Sequence, residues 1–191
     1  MNALVLNCCP VRAGATAFIS ETVASRLGAH FSVRSLCIDD YQICFCRGCR
    51  MCHATAECAL DDGVRELMRE FEQADIIVCV SPSYWADIPA QFKAFIDRCT
   101  PWCDTHEPHA KIPSGKLGYT VALRTGGGEA ECLRIISSIE HFYGHLGIKP
   151  HGSLVMTRIA SREDAEKRLD EQNDFCDKTI RDGIAKASAA D

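Results

Sequence analysis

The stretch DIIVCVSPSYWADIPAQFKAFIDR, residues 75–98, decides the fold. Its first six residues form a short apolar run rich in β-branched side chains, which predicts a strand that is buried on both faces. Pro89 then begins a helix predicted over 90–98, because proline is favoured in the first turn and apolar side chains recur there at helical spacing. A buried strand followed directly by a helix is the building unit of a parallel α/β sheet.

The same alternation of strands and helices continues in both directions. Strands are predicted over 3–6, 31–36, 75–80, 117–123 and 153–156, and helices over 16–27, 61–73, 90–98, 129–146 and 161–187. This pattern predicts an α/β, doubly wound parallel sheet in the flavodoxin-like order 2-1-3-4-5, with its ligand beyond the carboxyl ends of the first and third strands. The length predicts one domain over 1–191. Residues 37–60, between the second strand and the second helix, lack periodicity and are predicted to form a long functional loop.

Composition and charge exclude several classes of protein. Charged residues make up 25% of the chain and hydrophobic residues 47%, which are the proportions of a folded globular protein rather than a disordered one. The 26 acidic residues outnumber the 21 Lys and Arg residues, so nucleic acid and anionic membrane are not expected as partners. No export signal is recognisable and no apolar run reaches about 18 residues, so a cytoplasmic protein is expected.

The 13 cysteines are the unusual feature of the composition. An odd number cannot pair completely, and disulfides are rare in the cytoplasm, so these thiols are assigned to core packing, metal binding or redox chemistry. Cys79, Cys132 and Cys176 lie singly within predicted strands or helices and are expected to pack in the core.

Four cysteines of the long loop, Cys46, Cys49, Cys52 and Cys58, have the spacing C-x2-C-x2-C-x5-C. Four thiolates so close together in an irregular loop can converge on one metal centre, and bacterial ferredoxins share the compact triplet. The spacing therefore favours an iron–sulfur cluster, with a zinc site or free thiols as the alternatives. Cys44 is the spare cysteine that could replace one of the four ligands.

The loop after the first predicted strand, residues 7–16, has the features of a phosphate site. Backbone N–H groups and the dipole of the following helix would attract an anion there. Arg12 and Thr16 are the candidate side-chain donors. The alternative is an ordinary turn between a strand and a helix.

Two further loops follow the third and fourth strands and therefore lie at the same edge of the sheet. Residues 81–89 present Tyr84 and Trp85 as a flat apolar wall for a planar ring, unless both aromatic side chains cover the core. Residues 124–129 carry three consecutive glycines, which let the backbone approach a ligand closely, unless they form only a flexible turn.

Together the three loops predict a site for a mononucleotide with a flat ring, and FMN fits best. A dinucleotide site is disfavoured because no G-x-G-x-x-G follows the first strand. The candidate cofactor-binding residues are Cys9, Pro10, Arg12, Gly14, Ala15, Thr16, Pro82, Ser83, Tyr84, Trp85, Ala86, Asp87, Arg124, Thr125, Gly126, Gly127 and Gly128. No catalytic acid or base is identifiable, so the chemistry is assigned to the cofactor. His106 and His109 are expected at the surface.

These residues match a known family. The chain resembles the NAD(P)H-dependent FMN reductase family of flavodoxin-like proteins, and within it the iron–sulfur flavoproteins. Residues 81–98 look like the family signature P-x-Y-[WF]…Q-x-K-x-F-[IM]-D-R, and residues 46–58 are similar to its cysteine segment. Residues 8–16 are similar to its phosphate loop, G-S-P-R-x-x-G-N-T. The departures from that loop are Cys8, Cys9, Val11 and Ala15.

This resemblance implies an FMN-dependent oxidoreductase that passes electrons between NAD(P)H or another reduced donor, FMN and a [4Fe-4S] cluster held by the four cysteines. It also implies a homodimer or higher homo-oligomer, with a small molecule or a protein as redox partner. Arg124, near the pyrimidine end of the flavin, is expected to stabilise the reduced anionic form. Two alternatives stay open: a cluster-free FMN-dependent reductase of quinones, nitro or azo compounds, and a non-enzymatic flavodoxin-fold binding module stabilised by zinc or thiols.

Overall fold

A computed structural model describes residues 1–189 and contains one parallel sheet of five strands. The strands are β1 (Asn2–Asn7), β2 (Ser32–Cys37), β3 (Ile76–Pro82), β4 (Leu117–Leu123) and β5 (Lys149–Met156). Their order is β2-β1-β3-β4-β5, which confirms the predicted flavodoxin-like topology. Because β1 lies between β2 and β3, the chain changes direction across the sheet there, and the loops after β1 and β3 become neighbours.

Helices cover both faces of the sheet. They are α1 (Ala15–Gly28), α2 (Met51–Thr55), α3 (Gly63–Gln73), α4 (Ala90–Arg98), α5 (Ala130–His145), α6 (Arg162–Glu166) and α7 (Leu169–Ser188). One apolar cluster lies under α3, α4 and α5, and the other lies under α1, α6 and α7. Among residues 1–189, none of the helices combines the length and the apolar character needed to span a bilayer.

Successive side chains of a strand point to opposite faces of the sheet, so each strand contributes residues alternately to the two clusters. In β1, Leu4 and Leu6 pack under α3 to α5, whereas Ala3 and Val5 pack on the opposite face. Every residue of β4 is buried, so the sheet is covered on both sides. Cys79, Cys132 and Cys176 have no exposed surface, which confirms the prediction that they are core residues.

Strand β5 is longer than predicted and begins at Lys149 rather than at residue 153. Its first half carries Pro150 and Gly152, which hide the strand pattern in the sequence. An edge strand tolerates proline because it needs backbone bonds on one side only. The pairing with β4 shifts between Gly118 and Tyr119, so this part of the strand is irregular as well.

The predicted helix over 161–187 is two helices, α6 and α7. The Ser161 hydroxyl and the Asp164 carboxylate form the expected capping box at the start of α6. The break falls at Arg168, between the end of α6 and the start of α7. Its guanidinium donates to the backbone oxygen of Thr157, which precedes α6 (Nη1 to O, 3.2 Å). The break therefore follows from a tertiary contact that the helical periodicity does not encode.

Candidate functional site

The loop after β1 leads into an uncapped helix at the edge of the sheet. The backbone N–H of Cys8 donates to the oxygen of Val80 (2.9 Å), which holds the loop against β3. Gly14 stands at the N-cap of α1 and provides no side-chain cap, and the first turn contains no acidic residue. The free N–H groups and the positive end of the dipole therefore remain available to an anion.

Arg12, one of the two candidate phosphate donors, is engaged elsewhere in this structure. Its guanidinium donates to Asp39 (Nε to Oδ2, 3.2 Å) and to Asp40 (Nη1 to Oδ1, 2.6 Å) in the turn after β2. Thr16 lies in the first turn of α1 and is buried. The donors that this loop presents are consequently its backbone N–H groups.

The loop after β3 turns sharply and places an aromatic ring in solvent. Tyr84 and Asp87 exchange two backbone hydrogen bonds around Trp85 and Ala86, which both have positive φ. Trp85 is fully exposed at 103%, so it does not cover the core. The hydroxyl of Tyr84 lies 3.3 Å from the sulfur of Cys9, which joins the first and second loops. The Cys9 hydrogen bond, together with burial, raises the pKa of Tyr84 to about 12.

The loop after β4 is tied to the second loop through Glu131, a residue that the sequence reasoning missed. Ser83 donates to Glu131 (Oγ to Oε2, 2.7 Å), and Arg124 pairs with the other carboxylate oxygen (Nη2 to Oε1, 3.0 Å). Arg124 also donates to the backbone oxygen of Gly128 at 3.1 Å, while its buried Nε has no partner. A Cβ at Gly126 would lie 2.5 Å from Nη2 of Arg124, so a larger residue there would displace this guanidinium.

The structure therefore brings the three predicted loops to one edge of the sheet, and contacts between side chains join them in sequence. Besides those already described, the remaining predicted residues of these loops are Pro10, Ala15, Pro82, Thr125 and Gly127. Glu131 had no local signal, since it is the helix residue that the fold places across from Ser83.

The cysteine loop is ordered by a short helix and by turns. Helix α2 carries Cys52 and lies between Arg50 and Ala56, which both have positive φ. Cys46 and Cys49 are exposed, and the N–H of Gly48 approaches the Cys46 sulfur at 3.5 Å. The expectation of a stretch without regular structure over 37–60 is therefore corrected by α2 and by a 3-10 turn at Ile38–Asp40.

The other two predicted ligands, Cys52 and Cys58, are less exposed, since both are half-buried. Burial raises the pKa of the Cys52 thiol, and the neighbouring Cys58 and Cys46 thiols add to the rise. Within the described part of the chain, no three of these sulfurs lie within 4.8 Å of one another. Sulfurs around a single tetrahedral zinc lie about 3.8 Å apart, so the loop is not arranged as a closed mononuclear zinc site.

A buried arginine fixes this loop to the body of the protein. Arg98, at the end of α4, is only 2% exposed and donates to the Cys58 sulfur (Nε to Sγ, 3.2 Å). It also pairs with Asp62 through both guanidinium nitrogens (2.7 and 3.2 Å) and donates to the backbone oxygens of Cys44 (2.8 Å) and Leu60 (3.2 Å). Sequence reasoning singled out Arg98 only as part of the family signature.

The loop after α4 places His106 against the cysteine segment, and the two histidines predicted at the surface, His106 and His109, are half-buried rather than fully exposed. The ring of His106 stacks on that of His53 with centroids 4.2 Å apart, and both of its ring nitrogens are buried. The ring of His109 lies 2.9 Å (Nδ1) from the backbone oxygen of His106, and its side chain is only 15% exposed. Stacking on His53 of α2, which the sequence did not reveal, accounts for part of the burial of His106.

The five-stranded parallel sheet of order β2-β1-β3-β4-β5, with helices on both faces, defines a flavodoxin-like α/β fold. The chain belongs to the NADPH-dependent FMN reductase family, whose family model matches residues 1–161. The resemblance inferred from the cysteine segment and the 81–98 signature is thereby confirmed at the level of the family.

Curated relatives include iron–sulfur flavoproteins. One, from Archaeoglobus fulgidus, is 37% identical over 101 residues, which cover 53% of this chain and 44% of that protein. Another, from Methanocaldococcus jannaschii, is 33% identical over 98 residues, which cover 51% of this chain and 48% of that protein. The matched region thus spans about half the length of these relatives.

Solved structures of low sequence identity share the fold. An azoreductase from Bacillus anthracis superposes with a TM-score of 0.65 at 16% identity, covering 95% of this chain and 97% of that one. A flavodoxin from the domain Archaea superposes with a TM-score of 0.53 at 15% identity, covering 94% of this chain and 99% of that one. At such identities the likeness establishes the fold alone.

Proposed function

We propose that this protein is an FMN-dependent oxidoreductase that passes electrons between NAD(P)H or another reduced donor, FMN and a [4Fe-4S] cluster bound by Cys46, Cys49, Cys52 and Cys58. The observation that carries the proposal is the joining of three loops around the uncapped start of α1, next to a loop rich in thiols. When bound, FMN would accept a hydride and release electrons one at a time, and the cluster would transfer single electrons.

The residues at the sheet edge fit FMN. The backbone N–H groups from Gly14 to Thr16 would hold the phosphate at the positive end of α1. Trp85 offers an unobstructed aromatic face for the ring system. The unpartnered Nε of Arg124 is a donor for the polar edge of the flavin, and Glu131 holds that guanidinium in place. Each part of the cofactor thus has a partner on a different loop.

The cysteine loop fits a thiolate-bound cluster. Its donor set consists of sulfur atoms, and N–H groups of Gly48 and Arg98 point at two of those sulfurs. Such hydrogen bonds stabilise the charged thiolate form and tune a cluster's potential. Helix α4 begins after the loop with Trp85 and ends at Arg98, and its 9 residues span about 12 Å along the helix axis.

Anaerobic purification followed by flavin, iron and acid-labile sulfide analysis tests the proposal. Flavin with both iron and sulfide is expected. Cys49→Ser combined with Cys44→Ser should lose the iron and sulfide, because the spare thiol is then absent as well, whereas Cys44→Ser alone, in the same exposed loop, should retain them. Flavin without iron would contradict the cluster and favour a quinone, nitro or azo reductase. Zinc without flavin would contradict the oxidoreductase and favour a binding module.

We also propose that the protein is a homodimer and works in a reducing compartment such as the cytoplasm. Exposed aromatic side chains lie at both sides of the start of α4: Trp85 precedes it, and Phe45, 75% exposed, lies beside Ala90 and Gln91. Exposed aromatic surface is typical of interaction sites. The 13 cysteines are all free thiols, which supports the compartment. Light scattering should give the mass of a dimer, and a monomer at micromolar concentration would contradict this.

A further inference from the structure

A second group of metal-binding side chains lies away from both sites, where the loop after α4 meets the end of α5. Cys103, Asp104 and His145 each offer a ligand atom, and these atoms all lie within 4.8 Å of one another. Across residues 1–189, no other three His, Cys, Asp or Glu side chains meet that condition. Nδ1 of His145 and Oδ1 of Asp104 lie 3.5 Å apart.

These separations suit a small tetrahedral cation. With zinc–ligand bonds of about 2.0 to 2.3 Å, ligand atoms lie roughly 3.3 to 3.7 Å apart. The His145 to Asp104 distance falls in that range, and the Cys103 sulfur lies within 4.8 Å of the other two ligand atoms. The group is half-buried at Cys103 and His145 and exposed at Asp104, which leaves a path for the ion.

A second histidine fixes the ring of the first. His141 lies one helical turn before His145 on α5, and their Nε2 atoms are 3.0 Å apart. One Nε2 must donate to the other at that distance, so Nε2 of His145 is engaged with His141 while Nδ1 faces Asp104. Histidines that bind metals are commonly oriented by a hydrogen bond at the other ring nitrogen.

The backbone holds the two elements together without the ion. The N–H of Asp104 donates to the backbone oxygen of His145 (3.1 Å), and that of Cys103 donates to Thr100 (3.1 Å). A cavity of about 370 Å³ opens beside the group, lined in part by Cys103, His141 and His145. A cation held by three protein ligands would direct its fourth position towards solvent there.

We propose that Cys103, Asp104 and His145 bind one divalent cation of the zinc class, with His141 as the residue that positions His145. A thiolate, an imidazole and a carboxylate form a mixed donor set that suits zinc and disfavours calcium and magnesium, which require mainly oxygen ligands. The thiolate and the carboxylate together balance the two positive charges. Bound there, the ion ties the 99–116 loop to α5, and the same loop carries His106 onto the cysteine segment.

Zinc binding to the chain tests this site, with the four predicted cluster thiols removed so that they do not compete for the ion. The variant Cys46→Ser, Cys49→Ser, Cys52→Ser, Cys58→Ser is dialysed against buffered zinc and analysed by mass spectrometry. One zinc per chain is expected. Adding His145→Ala or Asp104→Asn should abolish it, whereas adding His30→Ala, an exposed imidazole elsewhere, should not. Asp104→Asn changes an exposed loop residue, so it serves if His145→Ala does not fold.

Cobalt substitution in the same background identifies the ligands. A sulfur-to-cobalt charge-transfer band is expected in the parent and should disappear with Cys103→Ser. His141→Ala should weaken zinc binding about 10- to 100-fold, the usual effect of losing an orienting partner. Zinc absent from the parent, or zinc retained after both His145→Ala and Asp104→Asn, would overturn the site. Flavin content is measured in parallel and is expected to stay constant, so a failure here is distinct from a failure of the proposed function.

Discussion

Replacing Arg98 by methionine tests how the cysteine loop is held on the body of the fold. The Arg98 guanidinium is 2% exposed and the Asp62 side chain 8%, so the pair is buried. Methionine fills a similar volume but leaves the Asp62 carboxylate without its countercharge. It also removes the donors to Cys44, Leu60 and the Cys58 sulfur.

The expected loss is large because a buried charge is left unpaired. Breaking one partner of such a pair costs about 3–5 kcal/mol of unfolding free energy. At roughly 2–4 °C per kcal/mol for a chain of this size, the melting temperature should fall by about 6–20 °C. The control is Lys93→Met on the same helix, which loses an exposed ion pair with Asp97. That control should cost less than about 0.5 kcal/mol.

Urea unfolding followed by circular dichroism measures the difference, and the double variant Arg98→Met, Asp62→Asn completes a cycle. The double variant should cost less than the sum of the single ones, because it no longer buries an unpaired charge. A loss below about 1 kcal/mol for Arg98→Met, equal to that of an exposed pair, would refute the reasoning.

The pH dependence of this pair has a definite sign. Burial alone would raise the pKa of the Asp62 carboxyl, but hydrogen bonds from Arg98 and from the N–H groups of Cys44 and Val64, with the Arg98 charge, hold it below its ordinary value. A carboxyl whose pKa is lower in the folded state stabilises the fold at pH values above its unfolded-state pKa of about 3.9. This contribution is lost as the pH falls through the folded-state pKa. Without Arg98, burial raises the pKa of the Asp62 carboxyl, so the variant binds the proton at a higher pH than the wild type does. The stability gap between the wild type and Arg98→Met should therefore narrow as the pH falls through the acidic range.

Single substitutions at glycines, at Arg124 and at Trp85 test three further features of the fold and the site. Gly183→Ala should lower the free energy of unfolding by about 1–3 kcal/mol, because the new Cβ would lie 2.7 Å from the Ile76 side chain. Gly144→Ala is the matched control: its Cβ would have no atom within 4 Å, so thermal melts should show an unfolding free energy raised by about 0.4–1 kcal/mol. Arg124→Ala should lower the FMN reduction potential measured by redox titration, and an unchanged potential would contradict its role. Trp85→Ala should change stability by less than about 0.5 kcal/mol but weaken FMN binding roughly 2- to 13-fold by fluorescence titration, and unaltered affinity would remove it from the site.

The sheet was predictable because its central strands are continuous apolar runs, and such runs carry a signal in the sequence alone. Strand β5 was only half predicted, since Pro150 and Gly152 interrupt its pattern at the sheet edge, where the fold tolerates them. The break at Arg168 was missed for a related reason: its contact with Thr157 is tertiary, and helical periodicity does not report it.

The loops of the site were predictable because parallel strands end at a common edge, but their side-chain contacts were not. Arg12 reads as a phosphate donor in sequence, yet the fold places it against Asp39 and Asp40 after a different strand. Glu131 and Arg98 acquire their roles from partners 48 and 36 residues away. Such pairings depend on how helices are placed over the sheet, which residue types and local spacing do not specify.

The segment 75–98 does more than specify a strand and a helix. Its strand exit carries Trp85 and its helix ends at Arg98, so one rigid unit positions both the predicted flavin wall and the anchor of the cysteine loop. Asp62 caps α3, accepts from the Cys44 N–H and pairs with Arg98, so both ends of the loop are fixed by protein contacts. Many small metal domains unfold without their metal because nothing else orders the ligands. Here the Arg98 and Asp62 pair fixes the Cys58 sulfur and the backbone of Cys44 and Leu60, so removing a cluster should leave α3 and α4 folded.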